Sequence, residues 1–139
     1  MFLLSIVILL SFLGFLDATY LTILHYKNII PSCFLTGCDT VLTSKFSTIG
    51  PIPISLIGSF YYLSLLILTI SHILNNRSYF LKSLFFLISF ASIVSLILIF
   101  LQAFILKAFC QYCLLSEAVT FLLFVVVFLS LKSQQKTLS

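Results

Sequence analysis

The sequence predicts an all-α integral membrane protein, a bundle of four transmembrane helices. Three observations carry this. Of 139 residues, 62% are hydrophobic and only 7% are charged, with a mean hydropathy of +1.31. The apolar residues gather in four stretches near the roughly 20 residues that a membrane span needs. Polar and turn-forming residues concentrate between those stretches. A soluble domain carries about 25% charged residues, so this chain cannot clothe a water-facing surface. That excludes a cytosolic enzyme, a disordered tail and a secreted disulfide scaffold.

The first stretch, residues 2–26, is apolar apart from Asp17 and His25. It lacks a basic leader, its apolar run is too long and no small-x-small site follows, so it is expected to stay as a helix of the mature protein. Residues 52–74 carry no charge and end near His72. Residues 81–106 carry no charge beyond Lys82, and Gln102 is their main polar residue. Residues 114–131 are shorter and contain Glu117. Lipid forces backbone hydrogen bonds to close within a segment, so all four read as helices despite their β-branched content.

The connections differ. Residues 27–51 form a long loop with Cys33, Gly37, Cys38, Asp39, Ser44, Lys45, Gly50 and Pro51, and a loop of this length is more often functional than idle. Asn75-Asn76-Arg77-Ser78 is a tight turn. A seven-residue link, Lys107 to Cys113, joins the third and fourth stretches, and the polar tail after Leu131 is expected to fray. Residues 1–139 are read as a single membrane domain.

Helix parity sets an orientation. The N-terminus, the turn and the tail share a side with Arg77, Lys82, Lys132 and Lys136, against Lys27, Lys45 and Lys107 opposite; the basic excess marks the inside. The same parity puts all four cysteines on the other face, and disulfides persist outside the cytosol. Both termini are therefore expected in the cytoplasm and the cysteines outside. The basic residues are scattered, with no run to track a phosphate backbone, so no nucleic-acid partner is expected.

Cys110-Gln-Tyr-Cys113 is a C-x-x-C at the outer start of the fourth helix. Two thiols at that spacing can close a small ring and switch between dithiol and disulfide, and a helix N-terminus favours the attacking thiolate. The thiolate is expected at Cys113. Cys33 and Cys38 form a second pair beside Gly37. Static disulfides and a four-cysteine zinc site are the alternatives to redox exchange, and four cysteines allow three pairings. Asp17, about ten residues inside the outer end of its helix, needs a partner or a cavity. Glu117 lies one turn after Cys113 on the same helix face and is placed to hydrogen-bond an acceptor or relay a proton. His25 and His72 read as interfacial side chains, and Tyr61, Tyr62 and Tyr112 as an aromatic belt; Tyr112 is also a candidate for lining a pocket.

Taken together, these residues resemble the vitamin K epoxide reductase family in its bacterial, disulfide-forming type without a fused thioredoxin domain. The resemblance rests on Gly14-Phe-Leu-Asp17-Ala-Thr-Tyr20-Leu21 with His25, on Cys33 and Cys38 followed by Asp39-Thr-Val-Leu-Thr-Ser44, on Gly50-Pro-Ile-Pro53 with Gly58 and Tyr62, and on Cys110-Gln-Tyr-Cys113. The loop pair precedes the C-x-x-C, the reverse of the order in quinone reductases of the DsbB type. The resemblance implies a four-helix bundle around a quinone pocket, capped by the outer cysteine-bearing loop. It implies that Cys113 lies against the quinone, Cys110 exchanges with Cys38, Cys33 meets the redox partner and Ser44 sits near the pocket. Two departures stand out. The family's Gly-x-Pro reads Gly50-Pro-Ile-Pro53, and the chain stops at Ser139 where many bacterial members continue into a fifth helix and a thioredoxin-like domain.

The expectation is therefore a quinone-dependent thiol-disulfide oxidoreductase of the bacterial inner membrane. It would reoxidise a separate periplasmic or extracellular thioredoxin-like oxidase, of the DsbA type, and pass two electrons to ubiquinone or menaquinone. The catalytic residues would be Cys33, Cys38, Cys110 and Cys113, with Ser44, Tyr112, Glu117 and Asp17 at the pocket. No metal, flavin or nicotinamide is expected. The rivals are thiol-driven reduction of vitamin K epoxide or quinone on the same fold, and a non-enzymatic membrane protein with static disulfides.

Overall fold

The computed structural model describes residues 2–30, 32 and 37–138, the last of these by its backbone alone. Four long apolar helices, each able to cross a membrane by length and composition, run as α1 (Phe2–Lys27), α3 (Ile54–Asn75), α4 (Ser78–Phe100) continued by a π-helical turn over Leu101–Leu106, and α5 (Gln111–Leu138). Around the bundle α1 packs on α3 and α5, and α4 packs on α3 and α5. The all-α membrane bundle read from composition is thus the fold.

Each end of a helix has a local cause. Asn28 takes φ +55° after α1, and the amides of Asn28 and Ile29 bond back to His25 and Leu24. Asn76 does the same for α3 at φ +49°, its amide 2.7 Å from the His72 carbonyl. Asparagine tolerates this left-handed conformation, which closes the last carbonyls of a helix. Ahead of α3, Thr48–Ile49 (β1) and Ile52–Pro53 (β2) pair antiparallel around Gly50-Pro51, with Gly50 at φ +63°. A two-residue hairpin needs a residue free to take positive φ. The departure from Gly-x-Pro is thereby absorbed in a hairpin, and α3 starts at Ile54.

Both limits of the fourth span differ from the sequence reading. The fourth span begins at Gln111, because the Cys110 carbonyl already accepts the Leu114 amide at 2.9 Å. It also runs on through the polar tail rather than fraying. Gln134 lies 3.2 Å from His72 Nε2 and ties that tail to α3. Within the long loop, a short helix α2 (Cys38–Leu42) and a 3-10 turn (Lys45–Ser47) lead into the hairpin.

The core lies where all four helices meet, with Val7, Ala18, Tyr62, Leu65, Leu84, Ile88, Leu123 and Val127 buried together. Gly14 is required there, because a Cβ on it would overlap the Tyr62 ring. The Tyr62 hydroxyl donates to the Ser116 carbonyl at 2.8 Å, with the hydroxyls of Ser116 and Thr120 also in reach. Tyr62 is therefore a core residue joining α1, α3 and α5, not part of an aromatic belt. Its neighbours Thr19 and Thr22 on α1 pair with Ser59 and Ser55 on α3. Such interhelical bonds contribute about 0.6–2 kcal/mol each in a bilayer. Large side chains such as Leu9, Phe86, Phe90 and Ile93 stay exposed, as a lipid-facing surface requires.

His72 also departs from the interfacial reading, since it is 3% exposed. Its Nδ1 lies 2.9 Å from the Arg77 carbonyl, which can only accept. Nδ1 therefore carries the hydrogen, leaving Nε2 to accept from Gln134.

Candidate active site

The long loop is brought down onto the C-x-x-C by a glycine. A Cβ on Gly37 would lie 2.6 Å from both the backbone nitrogen and the backbone oxygen of Phe109, so only glycine permits the approach. Directly after it, Cys38 is buried in one cluster with Val41 and Cys110, packed by Leu42, Leu106, Ala108, Tyr112 and Cys113. Two of the candidate redox residues, 72 positions apart (110 − 38), thus share an apolar niche. Cys38 is disulfide-bonded, whereas Cys110 and Cys113 are free thiols. Cys33 lies outside the described residues.

Cys110 occupies the N-cap of α5, as its carbonyl begins the helix. An N-cap side chain receives the free amides of the first turn. The Cys113 thiol donates to the Cys110 sulfur, and the backbone amides of Cys113 and Tyr112 add to this; together they outweigh burial and lower the Cys110 pKa to about 6. The helix N-terminus thus favours thiolate at Cys110. The sequence reading favours a thiolate at Cys113; in the structure Cys113 sits three residues into the helix and Cys110 takes the capping position.

Behind the cysteines a cavity of about 880 Å3 opens between α1, α3, α4, α5 and the loop, within the usual 300–1,000 Å3 of small-molecule sites. Cys113, Asp17, Ser44 and Glu117 line it, with His25 among the loop-end residues, while Tyr112 does not. The Tyr112 ring packs 5.7 Å from Tyr20 and its hydroxyl donates to the Ser32 carbonyl, holding the loop instead. Ser44 donates to the Val41 carbonyl at 2.8 Å, which shapes the turn after α2. Most of the lining is aliphatic or aromatic, including Leu21, Phe60, Leu87, Val94 and Leu98.

The polar groups of this cavity are incompletely paired. Among the described residues, four buried side-chain atoms lack a hydrogen-bond partner, and three of them belong to cavity residues: Asp17 Oδ2, Tyr61 OH and Glu117 Oε2. A buried orphan costs about 1–3 kcal/mol, so three at one site are explained by a ligand with polar edges. A flat apolar ring carrying two carbonyl oxygens fits such a cavity. Among the described residues no three His, Cys, Asp or Glu side chains group as metal ligands.

Sequence reasoning missed two cavity residues. Tyr61 was placed in the belt, yet its hydroxyl is buried. Gln102 was noted only as the main polar residue of its span, and that isolation was the available signal. It is 3% exposed, and its amide bridges the Cys110 amide and the Glu117 carboxyl, each at 3.1 Å. It lies in the π-helical turn, a feature that recurs at functional sites.

Residues 5–128 match the sequence model of the vitamin K epoxide reductase family. No curated protein matches the chain.

Proposed function

The chain belongs to the vitamin K epoxide reductase family, and from that premise we propose that it is a membrane thiol:quinone oxidoreductase that reoxidises a thioredoxin-like partner of the DsbA type. The observation that carries this reading is a division of labour at the loop end. Cys38 and Cys110 are packed together, while Cys113, one turn into α5, faces the apolar cavity. A route from thiols outside the bundle to an acceptor within it needs that arrangement.

In the proposed cycle the reduced partner attacks the loop disulfide at Cys33 and frees Cys38. The Cys38 thiolate attacks the Cys110–Cys113 disulfide at Cys110, and the second thiol of the partner closes the partner's own disulfide. Cys33 then attacks Cys38, which restores the loop disulfide and releases Cys110 and Cys113 as the dithiol. That dithiol gives two electrons to a quinone held by the cavity lining and closes again. A low pKa makes Cys110 the better leaving group when Cys33 attacks the Cys38–Cys110 bond. Ser44, Asp17 and Glu117 supply the polar edge of the quinone site.

The protein would work in the bacterial inner membrane with both termini in the cytoplasm and the cysteine end outside. Redox compartment supports this, as the cycle needs disulfides that persist. The chain in detergent, given a reduced thioredoxin-like oxidase and ubiquinone or menaquinone, should form quinol, followed by the loss of quinone absorbance. Unchanged quinol formation by the Cys38→Ala variant would sink the relay. In intact cells, a membrane-impermeant thiol reagent should label the reduced loop cysteines; labelling only after lysis would reverse the orientation.

A further inference from the structure

We propose that Gln102 is a positioning residue that dictates which oxygen of Glu117 carries its proton, and so aims that proton into the cavity. The inference rests on the acceptor reading above. The backbone amide of Cys110 donates to Gln102 Oε1 at 3.1 Å. A backbone N–H is a donor in every state of the protein, so it fixes which end of the Gln102 amide is oxygen. The other end, Nε2, faces Glu117 Oε1 at 3.1 Å and has only hydrogens to offer. Glu117 Oε1 must accept there. A carbonyl oxygen accepts an amide N–H better than a carboxylic hydroxyl oxygen does, so this bond keeps Oε1 as the carbonyl and the proton of Glu117 belongs on Oε2. That oxygen is buried and without a partner, in a residue that lines the cavity with Cys113.

A purely structural role would leave the orphan unexplained, because a buried carboxyl serving packing alone would have both oxygens paired. An acceptor oxygen at Oε2 completes the set. The polarity of the chain is also tied to redox chemistry, since its first donor is the amide of Cys110.

The step balances. The Cys110 thiolate and the Cys113 thiol lose two electrons and form the S–S bond. The Cys113 proton and the Oε2 proton go to the two oxygens of the quinone, which becomes quinol. One negative charge, on Cys110 before the step, rests on Glu117 after it, and water at the loop end restores the proton before the next turnover.

The test uses the full chain in detergent or vesicles with a quinone of stated headgroup, and two independent readouts. The first is infrared difference spectroscopy of the protonated Glu117 carbonyl, identified by its loss in Glu117→Gln. That carbonyl accepts from Gln102, so its stretch should move to higher frequency in Gln102→Met. The second is kinetic. Gln102→Met should lower kcat for quinol formation about tenfold, a larger fall than in quinone-free thiol exchange with the partner; Glu117→Gln should lower kcat by about a hundredfold. A carbonyl band that does not move in Gln102→Met, or its absence from the unaltered protein, overturns the proposal. So does an equal fall in thiol exchange and quinol formation, which marks Gln102 as a mere prop for Cys110. A band shift in Gln102→Met together with an unaltered chain that reduces no quinone sinks the acceptor reading and leaves the placement of the proton standing.

Discussion

At the turn end of the bundle, His72 has both ring nitrogens bonded, to the Arg77 carbonyl and to Gln134, and Asn76 closes α3 in a left-handed cap. At the loop end, the cavity carries three buried polar atoms without partners, and two free thiols and a π-helical turn lie at or beside it. Both ends place polar groups among apolar ones. One satisfies them within the chain, and the other leaves them open. Unmet hydrogen-bonding capacity is costly in an apolar surrounding, so its concentration at one end separates the part of the molecule that binds from the part that braces. Stability–function trade-offs follow the same line.

The contrast breaks most visibly if cysteine variants retain activity. Cys110→Ala and Cys113→Ala should each reduce quinol formation to background while the helical circular dichroism and unfolding midpoint stay near those of the unaltered chain. Loss of fold in these variants would mean the loop end braces as well as reacts.

A large structural effect is expected where the bracing network reaches the centre. Gly14→Val forces a side chain into the Tyr62 ring and should destabilise the bundle by about 1–3 kcal/mol or more, measured by unfolding in mixed micelles. Tyr62→Phe, which leaves the Ser116 and Thr120 partners unmet, should cost about 1–2 kcal/mol.

Removing an open polar group should have the opposite sign. Asp17→Leu deletes a carboxyl whose Oδ2 is unpartnered, so the bundle should become more stable by about 1–2 kcal/mol while the quinone KM rises. A destabilised Asp17→Leu would show that the carboxyl is satisfied after all.

At the turn end, His72→Ala should lower stability by about 1–2 kcal/mol and leave quinol formation unchanged. Gln134→Ala should do less and should fray the last turns of α5, visible as faster amide exchange.

The smallest effect is a shift along the pH axis. The folded Cys110 pKa is lowered to about 6, against about 8.5 for a free cysteine. Its thiolate absorbance, taken as a difference from Cys110→Ser, should therefore rise through pH 6 and be nearly complete at pH 8. Because the folded value is depressed, the accompanying stability is fully present above about pH 8.5 and is lost as pH falls through about 6. Cys113→Ala removes the largest cause and should move the midpoint upward.

Sequence alone determined the class. Composition excludes a water-soluble surface, four apolar stretches give four spans, the C-x-x-C and the loop pair can be picked out by their spacing, and Asp17 and Glu117 as acids that lipid would not tolerate without a purpose. Those inferences are local, since the need to close backbone hydrogen bonds in lipid acts on each segment separately. Tertiary structure decided which groups meet. That Gly37 seats Cys38 beside Cys110 depends on the backbone of Phe109. That Cys110 caps α5 while Cys113 lies within it depends on where α5 begins, three residues before the apolar pattern does. Gln102, Tyr61 and His72 owe their roles to partners 5 to 62 positions away or to a cavity shared by all four spans. A periodic pattern records which face of a helix is apolar, but the pairing of one polar atom with another is a property of the packed bundle.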